Sequence, residues 1–143
     1  MNNILKVAFL ALFTIVINNS VNAQCNGFTK KKCMPTLAPY IHNGQLNSTT
    51  LMAGETAELL MTFYSGQDYR ISVCGQEQLG KVQFNLLDVN KKLLFSSKDH
   101  NLATTWDFNV KSTQQIIVEV IIPEVKAAIA PSGCVAVLVG FKQ

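Results

Sequence analysis

Four cysteines are the residues of this chain whose type and spacing most directly imply chemistry. They are Cys25, Cys33, Cys74 and Cys134. Zinc sites usually take their ligands in close pairs such as C-x-x-C, whereas the nearest two cysteines here are eight residues apart and no histidine is close to them. We therefore predict two disulfides, which are typical of small exported domains. Of the three possible pairings we expect Cys25–Cys33, which would close a short loop, and Cys74–Cys134, which would join two strands.

The residues that could carry catalysis form no recognisable constellation. His42 and His100 have no ligating partner two or four residues away, and metal sites recruit several such ligands together. The chain has no G-x-S-x-G nucleophile motif, and its glycines stand singly, so a phosphate-cradling loop is not expected. The nine acidic residues fall mostly on predicted turns or solvent-facing strand positions, which argues against a catalytic carboxylate pair. We predict a protein that is not an enzyme and binds neither a metal nor a cofactor.

Six residues are candidates for contact with a ligand or partner: three lysines and three tyrosines. The lysines form the one cluster of positive charge. They are either a solvated loop or a contact for an anionic glycan, a lipopolysaccharide or a membrane surface. The tyrosines flank predicted loops and strand ends, where a rigid scaffold often carries a binding site for carbohydrate or peptide. These candidates are Lys30, Lys31, Lys32, Tyr40, Tyr64 and Tyr69.

The first 23 residues are typical of an export signal. Lys6 precedes the apolar run Val7–Ile17, and Val21–Ala23 offers a cleavage site before Gln24. The run of about 11 residues is shorter than the roughly 20 needed to span a membrane. Gln24 is not the small residue that a bacterial lipoprotein signal places before its modified cysteine. We predict a secreted or periplasmic protein that starts at Gln24, has no membrane span, and comes from a bacterium.

The charge of the remaining 120 residues excludes one class of partner. Residues 24–143 carry 11 basic and 9 acidic side chains, a net charge of +2. Nucleic-acid binding relies on clustered cations that neutralise phosphates, and this excess is too small to indicate it. The length suits one domain with one hydrophobic core. The expected partner is a protein or a glycan, and the sequence leaves the oligomeric state open.

Short runs with the period-two alternation of β-strands would position these residues. Thr104–Val110 places Trp106, Phe108 and Val110 inward, and Cys134–Phe141 is apolar on both faces, which predicts a central strand covered on both sides. The predicted strands are Leu46–Met52, Ala57–Tyr64, Tyr69–Cys74, Lys81–Asp88, Lys92–Ser97, Thr104–Val110, Gln115–Ile122 and Cys134–Phe141.

These strands predict an all-β chain, a single antiparallel β-sandwich or jelly roll of about eight strands stapled by disulfides. We place the sandwich at residues 46–143. An irregular arm is expected at residues 24–45, where Pro35, Pro39 and Gly44 interrupt any regular pattern. Nothing after the signal shows helical periodicity with caps, and Glu124–Ala130 would form a single turn at most.

The segment from Gly66 to Phe141 resembles the small jelly-roll domains of the pre-peptidase C-terminal type, found at the ends of secreted bacterial peptidases. The resemblance implies a jelly-roll fold and a role in secretion, substrate contact or calcium-dependent folding. The chain departs from that family because it lacks acidic clusters that could hold calcium. The motifs that carry the resemblance are Gly66–Ile71, Phe84–Asp88, Trp106–Phe108 and Ile117–Val120.

Three functional hypotheses follow. The leading one is an exported, non-enzymatic β-sandwich that binds a surface glycan, an envelope component or a partner protein. The alternative is a secreted or periplasmic inhibitor of a hydrolase such as a protease or lysozyme, with Lys30–Lys32 in the Cys25–Cys33 loop as its protruding element. The third is a small hydrolase, whose activity would depend on His42 or His100.

Overall fold

The structure, a computed structural model, describes residues 20–142, with side chains from Gln24 onward. Within this range, nine strands form two antiparallel sheets. The strands are β1 (Ile41–His42), β2 (Asn47–Met52), β3 (Thr56–Phe63), β4 (Asp68–Gly75), β5 (Gln83–Leu87), β6 (Leu93–Ser96), β7 (Thr105–Asn109), β8 (Gln114–Ile121) and β9 (Ser132–Lys142). All eight predicted strands are present with ends shifted by a few residues, and β1 is the one that the pattern missed.

The strand order is that of a jelly roll. Sheet A has the order β2-β9-β4-β7, with the short β1 pairing beside β2 on the same edge of β9, and sheet B has the order β3-β8-β5-β6. Every pairing is antiparallel. Consecutive strands cross between the two sheets, except at β1–β2 and at the β5–β6 hairpin, as in the double Greek key of jelly rolls. The predicted fold class is confirmed.

The central position of β9 explains its apolar sequence. Val135, Val137 and Val139 point into the space between the sheets and join the main core. Ala136 and Leu138 point the other way and are buried against the N-terminal arm. A strand covered on both faces has no solvent-facing positions, so the predicted central, doubly covered strand is confirmed.

The main core lies between the sheets and is rich in aromatic rings. The inward positions predicted for Thr104–Val110 are confirmed: Trp106 and Phe108 of β7 pack against the core, and Val110, just after β7, is buried. Trp106 stacks on Phe95 of β6 with ring centroids 4.1 Å apart. Because β6 and β7 are the edge strands of the two sheets, this stack closes one open side of the sandwich.

The N-terminal arm is helical, which corrects the prediction of an irregular segment. It consists of helix α1 (Ser20–Phe28), a π-helical turn (Thr29–Cys33) and a 3-10 turn (Met34–Leu37). The arm packs so closely on sheet A that a Cβ at Gly140 would lie 2.7 Å from Tyr40 Cβ. Residues 1–19 of the predicted export signal lie outside the described residues, and the predicted cleavage site falls within α1.

Both disulfides pair differently from the prediction: they join Cys25 to Cys134 and Cys33 to Cys74, with Cα–Cα distances of 5.2 and 6.0 Å. Cys25 and Cys33 lie along one helical arm, on the order of 10 Å apart, which is too far for a disulfide. Cys74 is paired with Ala136 across β4 and β9. Cys134 is therefore its diagonal neighbour, at roughly 7–8 Å. Each cysteine of the arm instead bonds to one of sheet A.

Candidate functional site

Tyr40 belongs to a polar cluster that fastens the arm to sheet A. The Arg70 guanidinium donates to both carboxylate oxygens of Asp107, at 2.6 and 2.7 Å, and to the Ala38 carbonyl at 2.7 Å. It also lies 4.7 Å from the centre of the Tyr40 ring. Hydrogen bonding to Arg70 lowers the pKa of Asp107, while burial and the Asp107 carboxylate raise the pKa of Tyr40. Since Arg70 is fully engaged, this cluster serves the structure.

Tyr64 and Tyr69 are neighbours at one end of the sandwich, and Tyr64 is much the more exposed of the two. Tyr69 is 5% exposed, and its hydroxyl accepts a hydrogen bond from the Tyr64 backbone N–H at 3.0 Å. Its ring lies edge-on to Phe63 in the core. A contact role for Tyr69 stays a prediction, because the small exposed part of this residue lines the same concave surface as Tyr64. Tyr64 is 62% exposed, whereas Tyr40 lies on the other face of sheet A, so the three tyrosines do not form one site.

The lysine run is exposed but is not a protruding loop. Lys30, Lys31 and Lys32 lie on the π-helical turn. Cys33 at the end of this turn and Cys25 in the preceding helix are each bonded to sheet A. The short disulfide loop that would have presented these lysines does not exist, because both of its cysteines pair elsewhere. A contact role for the three lysines stays a prediction, now on a helical surface.

The other chemistry-bearing residues are separated or structurally engaged. His42 lies on β1, and His100 packs between Phe95 and Trp106 with its Nδ1 3.0 Å from the Ser96 carbonyl. Residues 20–142 contain no group of three or more His, Cys, Asp or Glu side chains placed to hold a metal ion.

One pair of carboxylates does meet, across β3 and β8 on the outer face of sheet B. Glu58 is directly opposite Glu119. The Lys91 ammonium donates to Glu58 at 2.6 Å, and Asn85 donates to Glu119 at 2.7 Å. Lys91 offsets the charge of Glu58, and Asn85 satisfies Glu119 with a hydrogen bond from its neutral amide, so each carboxylate has a structural partner on the sheet face.

The best candidate for a functional surface is the end of the sandwich where four connections meet. These are residues 53–55, 76–82, 97–104 and 122–131, and we call this the loop end. Side chains of the second connection stabilise the start of β9: Gln76 accepts from the Cys134 N–H at 2.7 Å, and Gln78 donates to the Ser132 carbonyl at 3.1 Å. The loop end is therefore a rigid platform with connections of very different length.

The longest of these connections, residues 122–131, is held firmly at its base. The Ile122 N–H donates to the Glu55 carbonyl at 2.9 Å, and the Gly54 N–H donates to the Pro123 carbonyl at 3.2 Å. At the other end, the Ala53 N–H donates to the Pro131 carbonyl at 2.9 Å. The β2–β3 turn thus clamps both ends of the β8–β9 loop, and the loop contains no glycine.

The tip of the β8–β9 loop presents apolar side chains to solvent. Residues 124–129 are all exposed. Ile129 is 85% exposed and Val125 is 39% exposed. A clamped loop with an apolar tip is suited to enter a cleft of another protein. The sequence pattern predicts at most a single turn at Glu124–Ala130. The signals of an exposed apolar loop are the flanking prolines and the apolar residues between two strands.

Two adjoining grooves occupy the other open side of the sandwich, between β2 and β3. Their volumes are about 340 and 540 Å³, and they share Asn47 and Leu59 as lining residues. The grooves exist because β2 turns the short polar side chains of Asn47 and Thr49 toward β3, where an apolar side chain would fill the space. This edge is therefore less completely packed than the one closed by Trp106.

Comparison with solved structures identifies a shared fold. Seven chains match, among them the crystal structure of Aeromonas hydrophila PliG, described as a periplasmic lysozyme inhibitor of g-type lysozyme. That match has a TM-score of 0.52 and 9% sequence identity, and covers 73% of this chain and 89% of the other. The sequence matches no protein-family model and none of the curated proteins. Within residues 20–142, no helix has the length and apolar character needed to span a membrane. The likeness shows a β-sandwich fold, and the resemblance to pre-peptidase C-terminal domains stays a prediction.

Proposed function

We propose that this chain is an exported protein inhibitor of a hydrolase, and that the hydrolase is a lysozyme. The observation that carries the proposal is the β8–β9 loop, which is clamped at both ends and exposes Ile129 at its tip. The two disulfides that fasten the arm to sheet A support export. The fold shared with the Aeromonas lysozyme inhibitor supports the choice of hydrolase.

The physical advantage of this loop is that its two ends are already fixed before binding. Association loses affinity when flexible segments must be ordered, and here hydrogen bonds to the β2–β3 turn already hold the loop at Ile122, Pro123 and Pro131. Burial of exposed apolar side chains at the tip, above all Ile129, then contributes directly to affinity. The inhibitory element is thus the β8–β9 loop and not the lysine run.

Inhibition assays test the proposal directly. The purified, oxidised protein is titrated against goose-type, chicken-type and invertebrate-type lysozymes on cell-wall suspensions, with trypsin and subtilisin as the protease arm. We expect inhibition of at least one lysozyme at submicromolar concentration, and we expect Ile129→Asp to weaken it by a factor of at least about 100. Ile41→Asp is the matched control, because Ile41 is 60% exposed on β1, away from the loop end.

The outcomes separate the alternatives. An equal effect of both substitutions would exclude the β8–β9 loop as the contact. Inhibition of a protease alone would keep an inhibitor but change its target. Binding to a lysozyme without inhibition would favour the broader hypothesis of a non-enzymatic binding module, and no interaction with any of these hydrolases would reject the proposal.

A further inference from the structure

A further concave surface, separate from the two grooves between β2 and β3, lies at the loop end on the outer face of sheet B. It has a volume of about 540 Å³, within the size range of ligand sites. We call it the basic recess. Its lining combines two lysines, two side-chain amides and three apolar side chains: Lys81, Lys98, Gln83, Asn101, Leu102, Ile121 and Pro123.

The charge of the basic recess is one-sided. Lys81 and Lys98 are both exposed, and no acidic side chain lines the recess. Neither lysine takes part in an ion pair within residues 20–142, where the pairs are Arg70 with Asp107 and Lys91 with Glu58. Two unpaired ammonium groups over one concavity favour an anion.

The backbone of the recess wall is an independent observation. Asn101 and Leu102 have φ values of +56° and +54°, in the left-handed region. This conformation is uncommon for a residue such as leucine, and strained backbone clusters at functional sites. Hydrogen bonds from the Leu102 N–H to the Ser97 carbonyl (2.8 Å) and from the Ala103 N–H to the His100 carbonyl (3.0 Å) hold the turn. The turn places Asn101 and Leu102 in the wall beside the two lysines.

The other side chains that line the basic recess indicate that its ligand is a sugar as well as an anion. Gln83 and Asn101 each carry an amide donor and acceptor, which match the hydroxyl and acetamido groups of a sugar. Leu102 and Ile121 supply apolar surface for the C–H face of a sugar ring. We propose that the basic recess binds an anionic saccharide, a sugar that carries a carboxylate or a phosphate group. This site is separate from the tip of the β8–β9 loop and does not depend on the proposed inhibition.

Titration of the ¹⁵N-labelled, oxidised protein tests this site. The probes are N-acetylmuramic acid for the carboxylate, N-acetylglucosamine 6-phosphate for the phosphate, and neutral N-acetylglucosamine and inorganic phosphate as controls. We expect saturable, salt-sensitive shifts of the amides of Lys81, Asn101 and Leu102 with at least one anionic sugar. Affinity for either control should be at least tenfold lower.

Two lysine double variants distinguish binding at the basic recess from a general effect of the protein's positive charge. The double variant Lys81→Gln, Lys98→Gln should lower affinity for the anionic sugar at least tenfold. The double variant Lys92→Gln, Lys111→Gln makes the same charge change on exposed lysines at the opposite end of the sandwich and should leave affinity unchanged. Binding of only one of the two anionic sugars supports the proposal and identifies the acidic group. No saturable binding, equal binding of inorganic phosphate, or an equal loss in both double variants would overturn it.

Discussion

Arg70 illustrates how one side chain joins two parts of this molecule. It lies on β4, pairs with Asp107 on β7, and donates to the carbonyl of Ala38 in the arm. The side chains of Arg70 and Asp107 are 20% and 45% exposed, and ion pairs with such exposure contribute about 1 kcal/mol at most. The main effect of this ion pair is therefore to fix the position of the end of the arm on sheet A, and its contribution to the free energy of unfolding is small.

The ion pair of Asp107 predicts a specific pH dependence. Arg70 lowers the pKa of Asp107 below its usual 3.8. A carboxyl whose pKa is lower in the folded chain stabilises the fold above the unfolded pKa, and that contribution is lost as the pH falls through the folded pKa. We therefore expect Asp107→Asn to lower the Tm slightly near pH 6, and by progressively less as the pH falls below about 4.

Thermal unfolding followed by circular dichroism from about pH 2 to pH 7 measures this effect. Asp99→Asn is the control, since it removes one carboxylate at an exposed position outside any ion pair of the described residues. A Tm difference between wild type and Asp107→Asn that stays constant down to pH 2 would show that the Arg70 pair contributes nothing.

At the scale of elements, the two disulfides determine how the arm covers sheet A. They close loops of 109 and 41 residues, Cys25 to Cys134 and Cys33 to Cys74. In the chain-entropy account the longer loop contributes about 5 kcal/mol and the shorter about 4 kcal/mol. Both bonds lie on the outer face of sheet A, beside the buried side chains of Ala136 and Leu138.

Removal of each disulfide should therefore destabilise the fold substantially. We expect Cys25→Ala, Cys134→Ala to lower the free energy of unfolding by about 5 kcal/mol and Cys33→Ala, Cys74→Ala by about 4 kcal/mol. Urea denaturation of both double variants measures these losses. Peptide mapping of the non-reduced wild type provides the control for connectivity. A peptide that links Cys25 to Cys33 would refute the arrangement on which both values rest.

The strands were predictable because the pattern of polar and apolar residues in each strand indicates which of its faces are buried. Alternation along Thr104–Val110 indicates which side chains turn inward, and the apolar β9 indicates cover on both faces, so local pattern and tertiary position agree. The arm was not predictable in this way. The sequence Ser20–Phe28 has no apolar stripe that would indicate a helix. A helix that is held in place by disulfides and by packing on sheet A does not need one.

The candidate surfaces were still less accessible to sequence reasoning. The pairing of Cys25 with Cys134 depends on where the arm crosses sheet A. The spacing of the cysteines along the sequence does not indicate that path. The basic recess assembles Lys81 with Lys98 from two connections that are separate in sequence. Each lysine alone resembles any solvated surface residue, and only the jelly-roll topology brings the two together.

At the scale of the whole molecule, the two open sides of the sandwich are closed to different extents. On one side, Trp106 stacks on Phe95 at 4.1 Å and lies 4.7 Å from the His100 ring. On the other side, the short side chains of Asn47 and Thr49 leave a groove of about 340 Å³ with valines on its floor. The sandwich is thus anchored along the β6–β7 side and less tightly packed along the β2–β3 side.

This asymmetry predicts unequal costs for substitutions at the two edges. Trp106→Ala removes the ring that bridges the sheets, and loss of a packed aromatic ring costs about 3–5 kcal/mol. Because Trp106 is half-buried, we expect a loss of about 3 kcal/mol. Thr49→Ala removes atoms that already border open space, and we expect a change within about 0.5 kcal/mol. Urea denaturation should be followed by circular dichroism in both variants. Trp106 is the one tryptophan of the chain, so Trp106→Ala leaves no tryptophan fluorescence to follow. Similar losses at the two positions would mean that the β2–β3 edge is as closely packed in solution as the β6–β7 edge.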